Sequence, residues 1–257
     1  MANALKELDD LLRGNSTRPE LLARGTAHMR LGPYLALCLA LGAVYGLSMG
    51  LYAVFGRVPA EYAQLLASAL KVPALFLLTL VVVFPSLYTF TALLDVRLDL
   101  PSALRLVVAA VTVTLAVLAS FAPVTAFFTL SAAGYPFMKV LNVFLFAVAG
   151  LIGLGFLARA LGRWEAAQAP LAREEAAERN QTALHWSADA GRLRRTASRS
   201  GLFMVWMLLY AFVGAQMAWL LRPLIGDPAQ PFAVFCERGG NAFADFFNAL
   251  GKLLGVQ

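Results

Sequence analysis

Five stretches of this chain run close to twenty residues with scarcely a charge, the length a helix needs to cross the hydrocarbon of a bilayer. Inside lipid the backbone must satisfy its own N–H and C=O groups, so such stretches imply helices. Composition points the same way. The 257 residues are 60% apolar and 14% charged, with a mean hydropathy of +0.70. Soluble domains run nearer half apolar and a quarter charged. A soluble globular enzyme and a disordered chain are both excluded. The expected fold class is all-α, a polytopic transmembrane helical bundle.

The spans are expected at residues 34–55, 72–94, 105–128, 137–157 and 202–221, the second opened by Pro73. Residues 1–32 form a polar N-terminal segment, 33–157 carry spans one to four, and 158–200 form a basic loop. Residues 201–222 carry span five, and 223–257 a proline-rich tail with an amphipathic helix. Leu5, Leu8, Leu11 and Leu12 recur at helical spacing until Gly14-Asn15-Ser16 interrupts them, and Pro19-Glu20 opens a second short helix. The first apolar run begins too late for a secretory leader.

Orientation follows from Lys and Arg. Fifteen lie on the side of the N-terminus and the 158–200 loop, and six on the other. The positive-inside rule then puts the N-terminus in the cytoplasm and the C-terminus outside, in a multi-pass protein of a bacterial inner membrane. Cys38 and Cys236 fall at opposite faces and should be unbridged. The net charge of +6 reflects cytoplasmic loops, so no nucleic-acid partner is expected. His28 and His185 stand apart from other ligand residues, so no metal is expected. No nucleophile–base constellation or phosphate loop is present; Gly150, Gly153 and Gly155 have the wrong spacing and follow no strand. The expectation is no cofactor and no enzymatic activity.

Gly42, Gly46 and Gly50 make a double small-xxx-small ladder that lets another helix approach closely, within the chain or in a homodimer. Ala149, Gly150 and Gly153 offer a similar surface on span four. Pro85 and Pro123 each remove a ladder hydrogen bond and kink a span; Ser86 and Thr89, and Ser120 and Thr125, are placed to satisfy the freed carbonyls. Bent packing helices fit, as does a hinge or a substrate cavity. No Asp, Glu or His lies at mid-membrane depth, which argues against a proton-coupled pump. Thr79, Ser120, Asn142 and Gln216 fall at similar depth and could line an outward pocket, or serve as interhelical hydrogen bonds.

In the basic loop, Pro170 should divide two helical pieces, and Trp164 and Trp186 suit an interface. Arg192, Arg194, Arg195 and Arg199 cluster before span five as an anionic-lipid contact or as topogenic charges. After span five, three prolines force an extended path, and Asn241 caps a helix. Its apolar face would be Phe243, Phe246, Phe247, Leu250, Leu253 and Leu254, with Asp245, Asn248 and Lys252 opposite. This external docking helix suits the membrane interface or a partner protein.

The segments Lys71-Val72-Pro73-Ala74-Leu75 through Phe84-Pro85-Ser86-Leu87-Tyr88, and Phe212-Val213-Gly214-Ala215-Gln216 through Arg222-Pro223-Leu224-Ile225-Gly226, resemble a group of uncharacterised bacterial multi-spanning proteins. Five spans behind a cytoplasmic segment are also similar to the Yip1-like membrane proteins, which implies a role in membrane organisation. The resulting expectation is a scaffold or accessory subunit of a membrane complex, contacting lipid and a membrane-protein partner or a second copy. The alternative is a channel or facilitator for a small neutral solute or lipid.

Overall fold

The computed structural model describes residues 2–23, 26, 29–55, 61–93, 100–131, 134–179, 205–206, 208–225 and 242–253. Among these there is no strand. In chain order come α1 (Ala2–Leu12), a 3-10 turn (Asn15–Thr17), α2 (Pro19–Ala23), α3 (Leu31–Phe55), α4 (Tyr62–Leu93), α5 (Leu100–Leu130) and α6 (Tyr135–Arg179). A shorter apolar helix, α7 (Leu208–Leu220), and α8 (Ala242–Leu253) complete the described elements. Four helices are long and apolar enough to cross a membrane, at Leu31–Phe55, Tyr62–Ser86, Leu100–Leu130 and Tyr135–Trp164. The protein is an all-α polytopic bundle, a multi-pass membrane protein.

The centre of the bundle is α5. Residues 106–115 read Leu-Val-Val-Ala-Ala-Val-Thr-Val-Thr-Leu, apolar or hydroxyl on every side, and all are buried. A helix without a polar face belongs in a core. Here α3 and α6 flank it, α4 packs on α3 and also meets α5, and α7 runs antiparallel along α4. Outward faces carry side chains such as Leu66, Leu70 and Val81 of α4 and Phe144 of α6, all exposed. In lipid such a surface needs no further cover.

Close approach explains the glycines of α3. A Cβ on Gly42 would lie 2.8 Å from the Pro73 Cβ, and one on Gly50 would lie 2.8 Å from the Leu65 Cα. A Cβ on Gly46 would run into the Ser68 carbonyl. Leu65, Ala69 and Pro73 recur one turn apart, so the ladder seats α4 within the same chain. On α6, Gly153 faces Thr114 of α5 and Ala149 is buried, whereas Gly150 meets nothing within 4 Å.

Several expectations need correction. The second span begins at Tyr62, ten residues before 72, with Pro73 inside the helix; Gln64, Ser68 and Lys71, the polar residues of its first turns, are all buried. The fourth span runs on unbroken to Arg179, so Pro170 does not divide it. Trp164 is buried rather than at an open interface. It packs with Leu11, Leu22, Met29, Leu106, Leu157, Ala160 and Trp206. The N-terminal segment is thus docked against one end of the bundle instead of standing apart, because its leucine stripe finds apolar cover there. The proline neighbours also differ: Ser86, Thr89 and Ser120 donate to Val83, Pro85 and Val117, each three or four residues back. These are not the carbonyls four residues before Pro85 and Pro123 that the prolines leave free.

Candidate functional site

The four polar residues expected at similar depth sit on four different helices. Thr79 is buried and donates to the Leu75 carbonyl at 2.7 Å. Asn142, also buried, accepts from the Tyr45 hydroxyl at 2.7 Å and donates to the Met138 carbonyl at 2.8 Å. Ser120 is exposed and back-bonded to Val117 at 2.6 Å. Gln216 is half-buried on α7. Around Asn142, Phe146 packs edge-on to Tyr45 and stacks on Phe76. Cys38 is free and buried, with its sulfur 3.3 Å from the Thr112 hydroxyl.

At the end of α7 the helix stops because Pro223 has no N–H to continue the ladder. The Arg222–Pro223 peptide bond is cis. Gln64, Ser68 and Lys71 lie on one face of α4, at i, i+4 and i+7, and receive the carbonyls that follow the stop. Gln64 Nε2 and Lys71 Nζ each donate to the Pro223 carbonyl at 3.0 Å, and Ser68 Oγ donates to the Leu224 carbonyl. Arg222 stacks over the Trp219 ring at 3.5 Å. Sequence reasoning missed this clasp. Its signal was present, as a polar stripe at helical spacing leading into an apolar run.

Helix α8 is fastened at the same end. Lys139 Nζ, near the start of α6, contacts both carboxylate oxygens of Asp245 at 2.8 and 2.7 Å, and sits 5.2 Å from the centre of the Tyr135 ring. Asp245 was expected on the polar face away from the bundle; it faces the bundle because Lys139 supplies a buried-side partner. Ala249 is buried, Phe246 and Leu250 are half-buried, and Phe247 is 64% exposed. The side chain of Phe243 lies outside the described residues.

At the opposite end, hydroxyls and arginines tie the N-terminal segment to the spans. Thr26 donates to Ser102 at 2.8 Å and accepts from Arg105 at 3.3 Å. Arg163 Nη1 donates to Thr17 at 2.8 Å. On α1, Arg13 pairs with Asp9 at 2.8 Å, and that carboxylate raises the guanidinium further above its ordinary value. Arg192, Arg194, Arg195 and Arg199, with His28, His185, Trp186, Cys236 and Asn241, lie outside the described residues. Among the described residues no three His, Cys, Asp or Glu side chains stand close enough to share a metal ion. No family model, curated protein or solved structure matches the chain.

Proposed function

We propose that the protein is a non-enzymatic scaffold or accessory subunit of a complex in a bacterial inner membrane. The side bearing the N-terminal segment faces the cytoplasm, and the α8 end presents a docking surface to a membrane-protein partner. The observation that supports this reading is the way α8 is held. An ion pair to Lys139 locks one face of the helix onto α6 while Phe247 and Leu253 are left exposed on another. Aromatic side chains on a rigid element make good interface anchors, because little conformational freedom is lost when a partner covers them. The interior polar groups favour this role over a channel. Thr79 and Asn142 bond to protein atoms, which leaves them little capacity to line a solute path.

The test is photo-crosslinking in cells from a reactive residue placed at Phe247. A discrete adduct that weakens when Asp245→Ala loosens the helix supports the reading. Purification as a lone monomer with no adduct overturns it.

A further inference from the structure

We propose that the face of α6 near the N-terminal segment binds one anionic glycerophospholipid, with Arg159 and Arg163 taking the headgroup phosphate. This rests on the membrane-spanning fold and not on the scaffold role. The two arginines are one turn apart on α6, which puts their Cβ atoms about 5–6 Å from each other on one face. Both are exposed, and both lie at the end of the apolar stretch Tyr135–Trp164, where the helix leaves the hydrocarbon.

Their geometry is set. Arg159 Nε donates to the Gly155 carbonyl at 3.0 Å, so the guanidinium folds back along the helix toward the bilayer. A Cβ at Gly155 would only touch Arg159 Nη2, at 3.9 Å, so a methyl group fits there and only a bulkier side chain would crowd the guanidinium. Arg163 is held by its bond to Thr17. Neither arginine makes an ion pair among the described residues. Of the acids in the N-terminal segment, Asp9 pairs with Arg13 and Asp10 accepts from Asn15, while one Glu7 carboxylate oxygen is buried without a hydrogen-bond partner among the described residues.

Beyond Gly155 the same face of α6 continues with Ile152, Leu151 and Phe144, all exposed, Leu151 at 70%. Two guanidinium groups followed by an exposed apolar track match a headgroup phosphate and an acyl chain in that order. Guanidinium binds phosphate through paired N–H donors, which a lysine cannot reproduce. Basic sites at the membrane boundary select anionic headgroups.

The experiment uses the full chain in detergent, titrated separately with phosphatidylglycerol and phosphatidylcholine and read by native mass spectrometry. One phosphatidylglycerol should be held about thirtyfold more tightly than phosphatidylcholine, the ratio that two juxtamembrane arginines of usual strength supply. Arg159→Gln with Arg163→Gln should remove the preference. Arg159→Lys with Arg163→Lys, which keeps the charge should the glutamine pair fail to fold, should weaken it. Gly155→Leu is the sharpest variant: it leaves every charge in place and displaces the Arg159 guanidinium, so the preference should fall several-fold. Arg30→Gln, an exposed arginine just before α3 rather than on α6, should change nothing. Equal retention of the two lipids, no effect of Gly155→Leu, or an equal loss in Arg30→Gln would replace the site with diffuse surface charge and overturn the proposal. Displacement of the lipid by millimolar inorganic phosphate would make it a free-anion site and overturn it as well.

Discussion

The Tyr45 hydroxyl donates to Asn142 Oδ1 across the interior, joining α3 to α6 at 2.7 Å with both residues buried. Interhelical hydrogen bonds in membrane proteins contribute about 0.6 kcal/mol on average and seldom much above 1.5, because the separated helices find other partners. A cycle of Tyr45→Phe and Asn142→Leu should therefore show a coupling of about 0.6 kcal/mol in detergent unfolding. A coupling indistinguishable from zero would mean the bond does not hold the two helices.

A second tyrosine should behave oppositely. The Tyr210 hydroxyl on α7 is buried without a hydrogen-bond partner among the described residues. Removing it discards an unpaid desolvation, so Tyr210→Phe should be neutral or stabilising by up to about 1 kcal/mol. A clear loss of stability would show that the hydroxyl is bonded.

The glycines divide by what surrounds them. Gly46→Ala drives a methyl group into the Ser68 backbone carbonyl and should cost about 1–3 kcal/mol by overpacking. Gly150→Ala meets open space and should stabilise its helix by about 0.5–1 kcal/mol. Thermal unfolding of the two variants side by side checks both signs.

Lys139 and Asp245 are only partly exposed, yet their pair spans two elements rather than one helix turn. Asp245→Ala should raise hydrogen exchange in α8 about fivefold or less, the effect of a pair worth up to about 1 kcal/mol. The exchanged pair Lys139→Asp with Asp245→Lys should restore protection. Failure of the exchange to restore it would assign the loss to something other than charge.

Accessibility gives the orientation its own test. In a cysteine-free background, Thr79→Cys and Asn142→Cys should resist a membrane-impermeant thiol reagent, and Phe247→Cys should react from outside the cell. Reporter fusions after Leu94 and after Gln257 should report cytoplasm and exterior. Labelling at 142 from outside would restore the solute-path reading.

Four spans were legible because lipid length leaves so little choice, although α4 starts ten residues early; of the fifth, expected at 202–221, the described residues give only the shorter helix α7. Their arrangement was less so. Residues 106–115 carry no periodic face, and the absence of a face does not name neighbours; only packing shows that α5 is the centre. The start of α4 was hidden because Gln64, Ser68 and Lys71 interrupt the apolar run, and the carbonyls of Pro223 and Leu224 that they bond lie more than 150 residues away. Asp245 was misplaced for a related reason. Amphipathic pattern sends every charge toward water, and a partner such as Lys139 more than a hundred residues away is invisible to it.

The clasp at the end of α7 bears on how the bundle is made. Pro223 lies 159 residues after Gln64 and 152 after Lys71, so the second helix enters the membrane long before the ribosome has supplied the carbonyl it will hold. The clasp therefore cannot close until α7 arrives, although α3, α4 and α5 can already pack on one another. A chain cut short before that point would leave a lysine-bearing helix unfinished, and cellular quality control has a chemical handle by which to find it.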